Sequence, residues 1–122
     1  MDKKLVEEIE MLYQQVCQAL GDPKRLMLLY ILDGKPRNVT ELAAELDLPQ
    51  PTISRHLKIL RERLLVTTHR EGAAVYYSLT DSRLTQALDI LRAIVRDRLH
   101  EQAALSDFAA LNAELAQSHD ND

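Results

Sequence analysis

Apolar residues recur every three or four positions along most of the chain, which is the spacing of amphipathic helices. The first such stripe predicts a helix over residues 2–20. Asp22 and Pro23 then favour a second helix, because an aspartate caps the free amides of a first turn and a proline loses no hydrogen bond there. This second helix contains the run RLMLLYIL, which is apolar on nearly all sides, so we expect it at the centre of the core.

Two shorter helices joined by a tight turn are predicted over residues 39–63. The first is expected to begin near Thr40, whose hydroxyl is a suitable cap, and the second near Pro51. The stretch DLPQ between them is typical of a turn. The buried face of the second helix is predicted to consist of Ile53, Leu57, Leu60 and Leu64.

The apolar period changes from helical to strand-like over residues 64–80. The runs LLVTTHR and AVYYSL predict two strands, and Gly72 between them can adopt the positive φ of a tight turn. A lone hairpin is marginal in water, so this one is expected to pack against the helices.

A last helix is predicted over residues 81–105, and residues 117–122 are expected to form a flexible tail after a single domain over 1–116. The apolar stripe of this last helix is wider than a single contact face needs, which favours pairing with a helix of a second copy. The stripe consists of Leu84, Leu88, Leu91, Val95 and Leu99, widened by Ile90 and Ile94.

Composition excludes several classes of protein. The chain has 122 residues, of which 46% are hydrophobic and 28% charged, as in a soluble single domain. No apolar stretch is long enough to span a membrane, and the charged N-terminus does not resemble a signal peptide. The single cysteine, Cys17, cannot form an internal disulfide, which fits the cytoplasm. No grouping of histidine, cysteine or carboxylate residues suggests catalysis, so we expect neither an enzyme nor a cofactor.

Charge is unevenly distributed along the chain. The net charge of −4 alone argues against binding nucleic acid. Residues 49–72, however, carry five basic side chains against two acidic ones, whereas residues 97–122 carry one against six. The basic middle, and not the total, would govern contact with DNA.

The run ELAAELDLPQPTISRHLKILRERLLVTTHREGAAVYYSL resembles the core of the ArsR/SmtB family of winged helix-turn-helix repressors. The matching features are Glu41-Leu42-Ala43, Gln50-Pro51-Thr52, the Ser54-x-His56-Leu57 pattern, the Gly72 turn and Tyr76-Tyr77, within a resemblance over about residues 10–100. It implies a mainly α fold with a small β-hairpin, in the order α-α-α-α-β-β-α. It also implies a homodimer formed by the first and last helices, which represses transcription until an inducer, unidentified here, releases it from its double-stranded operator.

Polar side chains are expected on the outer face of the second helix of the helix-turn-helix. Arg55 is suited to a bidentate contact with guanine, and Gln50 to reading adenine. Thr52, Ser54 and Lys58 are better suited to contacts with phosphate groups. The hairpin over residues 64–80 is the predicted wing of this fold. His69 and Arg70 flank its tip, where they either contact DNA or are merely exposed to solvent. The predicted DNA-binding set is Gln50, Thr52, Ser54, Arg55, Lys58, His69 and Arg70.

Two alternatives remain open for this surface. The outer face of the helix could be an ordinary solvated face, or the whole fold could be a protein–protein interaction module with secondary DNA contact. A protein-binding face would be more apolar than this one. His56 lies beside the buried stripe and is expected to be a packed, hydrogen-bonded side chain and not a base reader.

Metal binding is not expected. The position at which some ArsR-type sensors carry a cysteine pair reads Ala43-Ala44, and the Asp-x-His that opens the last helix of others reads Asp81-Ser82-Arg83. A weak site made by Asp97, His100 and Glu101 is conceivable, although a solvated face is the preferred interpretation of these residues. Cys17 is interpreted first as a packed side chain, with a redox-active thiol or an isolated ligand as the alternatives.

Overall fold

A computed structural model describes residues 1–120. The chain is mainly helical with one two-stranded antiparallel hairpin, which confirms the predicted fold class. Residues 1–85 form one compact unit, and the remainder of the last helix, from Gln86, forms a second. The elements are α1 (Lys3–Leu12), α2 (Pro23–Gly34), α3 (Val39–Leu46), α4 (Gln50–Glu62), β1 (Val66–Glu71), β2 (Ala74–Leu79) and α5 (Arg83–Asp120).

The N-terminal helix differs from the continuous α-helix predicted over residues 2–20. Its α-helical part ends at Leu12, and residues Tyr13–Cys17 form a π-helical turn. The three- and four-residue spacing of the apolar positions continues through this turn, so nothing in the pattern indicates the change. Single π-helical turns are uncommon and are often found at functional sites.

Side-chain caps define where α2 and α3 begin. Asp22 accepts a hydrogen bond of 2.8 Å from the backbone amide of Lys24 at the start of α2, as predicted. The cap of α3 is Asn38, whose side-chain oxygen accepts a 2.8 Å bond from the amide of Glu41, so the prediction that Thr40 is the cap is wrong. Asn38 and Thr40 are both chemically suited to capping, and only the backbone geometry distinguishes them.

The core of the first unit forms between the helices and the base of the hairpin. α2, α3 and α4 supply most of its buried aliphatic side chains, and further ones come from Ala19 before α2 and from the start of the hairpin. The central position expected for α2 is therefore confirmed for one of its faces, although Met27 on the same helix is exposed. The buried aliphatic residues include Leu28, Leu29, Leu32, Leu42, Ile53, Leu57, Leu60, Leu65 and Val66.

Helices α3 and α4 both end in a left-handed residue. Asp47 has φ of 53° and Leu64 has φ of 63°. After α4, the amide of Leu65 bonds the carbonyl of Leu60 at 3.0 Å, and the amide of Leu64 bonds that of Arg61 at 3.0 Å, which is the Schellman pattern. The prediction that Leu64 faces inward is therefore wrong, because the chain leaves the helix before that residue and its side chain is 70% exposed.

The hairpin is regular and is connected to the helices. Val66 pairs with Leu79 at its base and Glu71 with Ala74 at its tip, where Gly72 has the expected positive φ of 61°. Arg37, after α2, forms an isolated bridge with Tyr77 through backbone bonds of 2.8 and 3.0 Å. These bonds join the return strand to the helical part of the fold.

Helix α5 is longer than predicted. It continues through residue 105 to Asp120, and residues 117–120 of the predicted tail are helical, while 121–122 lie outside the described residues. Its apolar side chains at positions 90, 91, 94, 95 and 99 are exposed in the single chain, as expected for a helix face that pairs with a second copy. Over the described range, no helix is long and apolar enough to cross a membrane.

Candidate nucleic-acid interface

The buried face of α4 fixes which side of this helix faces outward. Ile53, Leu57 and Leu60 are fully buried. On a helix that turns 100° per residue, Arg55 and Lys58 lie on the side opposite these positions and Ser54 lies on the flank, and all three are exposed. The helix therefore presents one hydroxyl and two cations to the outside.

Two hydrogen bonds arrange the outward side chains at the start of α4. Gln50 Nε2 donates to Thr40 Oγ1 of α3 at 3.4 Å, and Arg55 Nη2 donates to Thr52 Oγ1 at 3.3 Å. Thr52 is half-buried, and the other predicted α4 residues are exposed. The structure thus brings Gln50, Thr52 and Arg55 to one end of the helix. It also adds Thr40, a residue not included in the sequence-based site.

The wing separates its two candidate residues. His69 and Arg70 are both exposed in β1, but neighbouring residues of a strand point to opposite faces of the hairpin. His69 Nε2 lies 3.5 Å from a carboxylate oxygen of Glu71 on its own face. Arg70 is on the other face, away from this carboxylate, which makes it the better candidate for a contact with phosphate or the minor groove.

His56 connects α4 to the start of α2. Its Nδ1 is 3.2 Å from Arg25 Nη1, and Arg25 Nε also donates to the carbonyl of Ala19. Partial burial lowers the pKa of His56, opposed by the negative charge of Asp22. Because Arg25 is always a donor, this geometry requires a neutral imidazole that accepts at Nδ1. His56 is thus packed and hydrogen-bonded, and it helps to position α4.

Some of the residues considered as metal ligands form ion pairs with arginines. Arg83 donates to both carboxylate oxygens of Asp81, the shortest bond being 2.7 Å, and these bonds lower the pKa of Asp81 to about 2. Glu101 pairs with Arg98 at 2.8 Å. In the described part of the chain, no group of three or more histidine, cysteine, aspartate or glutamate residues could hold a metal. Cys17 lies exposed in the π-helical turn.

Comparison with known proteins identifies the family of this chain. Residues 22–68, from the cap of α2 into β1, match the sequence profile of the arsR family of bacterial regulatory proteins. The transcriptional repressor SdpR of Bacillus subtilis is 32% identical over 74 residues, which cover 61% of this chain and 82% of SdpR. The chain belongs to the ArsR family. Proteins of this family are transcriptional regulators and not enzymes.

One further relative and one solved structure are also similar to this chain. The biofilm growth-associated repressor of Agrobacterium fabrum is 39% identical over 77 residues, or 63% of this regulator, and the match spans 66% of that repressor, just under two thirds of its length. The homodimeric winged helix-turn-helix domain of Mb0332 from Mycobacterium bovis has a TM-score of 0.69 at 22% identity. The match covers 81% of this chain and 91% of that domain, and it shows the shared fold.

Proposed function

We propose that this ArsR-family regulator is a homodimeric repressor that reads a double-stranded operator with α4 of each copy and is released by an inducer. The observation that carries the proposal is the outward face of α4. Three buried aliphatic residues anchor this helix from behind, while Arg55, Lys58 and Ser54 project from its free side. In a helix-turn-helix, the second helix enters the major groove in this manner. A regulator of this kind would act in the cytoplasm.

Each polar residue of the proposed interface has a distinct role. Arg55 has guanidinium donors that its bond to Thr52 does not use, and these can make a paired contact with the edge of a guanine. Gln50 is held at the start of the helix by Thr40, where it can reach an adenine. Lys58 and Ser54 are suited to phosphates, which fix the register of the protein on DNA. Arg70 would contact the backbone beside the major groove.

A two-fold dimer follows from the apolar face of α5. Leu91, Val95 and Leu99 are exposed on a helix that is too apolar along this face to remain in water. A second copy would cover it, and the homodimeric relative supports this arrangement. Two copies of α4 would then meet two half-sites of a palindromic operator.

The proposal predicts different consequences for two neighbouring substitutions in α4. Arg55→Ala should weaken operator binding by about 1–3 kcal/mol and relax the preference at one base pair per half-site. Lys58→Ala should weaken operator and random DNA alike and reduce the salt dependence, because one phosphate contact is lost. The measurement is fluorescence anisotropy with both DNAs at two salt concentrations.

Arg61→Ala is the matched control, because Arg61 is an exposed arginine in the last turn of the same helix, away from the N-terminal residues that contact base edges in a helix-turn-helix. It removes the same charge and should have a smaller effect than Arg55→Ala. If Arg55→Ala and Lys58→Ala both bind operator and random DNA with the affinity of the parent, α4 does not contact the operator. The interpretation of the fold as a protein–protein interaction module would then be the better one.

A further inference from the structure

One side-chain hydrogen bond joins the two helices of the helix-turn-helix at the end proposed to meet DNA. Gln50 Nε2 donates to Thr40 Oγ1 at 3.4 Å, and both side chains are exposed. Thr40 lies in the first turn of α3, and Gln50 is the first residue of α4. In a helix-turn-helix, the N-terminal residues of the second helix contact base edges. Thr40 therefore bonds a side chain that is placed to read a base.

The hydroxyl of Thr40 is not needed by its own helix. Asn38 caps α3 by accepting a 2.8 Å bond from the amide of Glu41. At 3.4 Å, the bond from Gln50 is longer than most hydrogen bonds, so it adds little to the stability of the fold. What it changes is the set of hydrogen-bonding groups that the amide of Gln50 still has to offer.

This remaining set determines which purine Gln50 can read. A primary amide has two hydrogens to donate and one oxygen that accepts. With one hydrogen given to Thr40, one hydrogen and Oε1 remain. In the major groove, adenine presents one acceptor and one donor, whereas guanine presents two acceptors. The remaining pair matches adenine, because two contacts to guanine would require both amide hydrogens.

Arg55 at the same end of α4 is a useful contrast. Its Nη2 donates to Thr52 Oγ1 at 3.3 Å, so each of the two proposed base readers bonds a threonine hydroxyl. A guanidinium has five N–H donors, however, and the loss of one leaves enough for both acceptors of guanine. The choice of base therefore depends on a threonine for Gln50 but not for Arg55.

We propose that Thr40 is a positioning residue that makes Gln50 selective for adenine over guanine. The bond to Thr40 takes the Nε2 hydrogen that points away from Oε1, so that the other hydrogen and Oε1 face the base side by side. Without the hydroxyl, the amide turns freely and can offer both hydrogens to a guanine. The inference rests on the proposed function, because it requires that α4 enters the major groove.

The test uses the full chain and a pool of DNA duplexes with a randomised segment long enough for two half-sites, from which the bound molecules are recovered and sequenced. DNA selected by the parent should carry an adenine that Gln50→Ala no longer selects. Thr40→Val keeps the shape of the side chain without its hydroxyl, and the ratio of adenine to guanine at this position should fall about tenfold. The guanine that depends on Arg55 should be retained in the same pool.

Three further variants complete the design. Thr40→Ser restores a hydroxyl and should keep the ratio of adenine to guanine within about twofold of the parent. Thr67→Val makes the same replacement as Thr40→Val at an exposed threonine of β1 and should leave the ratio unchanged. Thr40→Ala also lacks the hydroxyl and takes the place of Thr40→Val if that variant does not fold.

The outcomes separate this inference from the proposed function. A purely structural role of Thr40 would weaken binding to all sequences and leave the ratio of adenine to guanine unchanged, which would overturn the inference. A parent that selects guanine at the position controlled by Gln50 would also overturn it, because the Thr40 hydroxyl would then donate to Oε1 and leave both amide hydrogens for the base. If the parent selects a sequence in which no position depends on Gln50, only this inference is contradicted. If the parent selects no sequence at all, the proposed function is contradicted as well.

Discussion

The left-handed conformation of Leu64 predicts an unusual order of stability for two small substitutions. Within a helix, alanine is more stable than glycine by about 1 kcal/mol. At Leu64, φ is 63°, and a residue with a Cβ pays about 1–2 kcal/mol to adopt this conformation. Glycine avoids this cost but loses about 0.5–1 kcal/mol of extra chain entropy on folding. Leu64→Gly should therefore be more stable than Leu64→Ala by about 0.5–1 kcal/mol.

Comparing these two variants with each other removes the contribution of the leucine side chain, since both lack it. The measurement is urea unfolding followed by circular dichroism, at one chain concentration because dimerisation would add to stability. The control pair is Lys58→Gly and Lys58→Ala, at an exposed position inside α4, where alanine should be the more stable. If alanine is also the more stable at position 64, the left-handed conformation of Leu64 is refuted.

Three other predictions test separate parts of the structure. Burial lowers the pKa of His56 in the folded protein, so the unfolded state binds a proton at this histidine first as the pH falls. The stability that the neutral His56 contributes is therefore complete above about pH 6.5 and is lost as the pH falls toward the folded pKa. The unfolding free energy of the parent should therefore fall more than that of His56→Gln between pH 8 and 5, and parallel curves would refute this. Asn38→Ala should cost about 1 kcal/mol in urea unfolding and Thr40→Ala less, because only Asn38 caps α3; equal losses would contradict the assignment. Leu91→Glu should lower both the mass in light scattering and the operator affinity, whereas Gln102→Glu adds the same charge and should do neither; a dimeric Leu91→Glu would show that this face is not the interface.

The helix-turn-helix and the hairpin could be predicted because local chemistry and apolar spacing agree there. Ile53, Leu57 and Leu60 follow the helical period, and their burial determines which side of α4 faces outward. Gly72 marks the hairpin turn because few other residues adopt its φ at low cost. The outward orientation of the residues proposed to bind DNA therefore followed from the pattern alone.

Features that depend on long-range contacts or on a local change of helix type could not be predicted. The bond between Arg25 and His56 joins residues 31 positions apart, and no local signal pairs them. The π-helical turn over Tyr13–Cys17 preserves the apolar spacing, so its effect is visible only in the backbone. The extension of α5 beyond residue 105 is a different case, because residues 106–117 contain four alanines and two leucines, which are strong helix formers, so the sequence already favoured a longer helix there.

The two helices of the helix-turn-helix end in the same type of turn but place different residues in its left-handed position. Both α3 and α4 end in a Schellman turn, with Asp47 in the left-handed position of the first and Leu64 in that of the second. Aspartate tolerates this conformation better than most residues, whereas a bulky aliphatic residue does not. The turn before α4 is thus nearly free of strain, while the turn after it is strained and largely exposed.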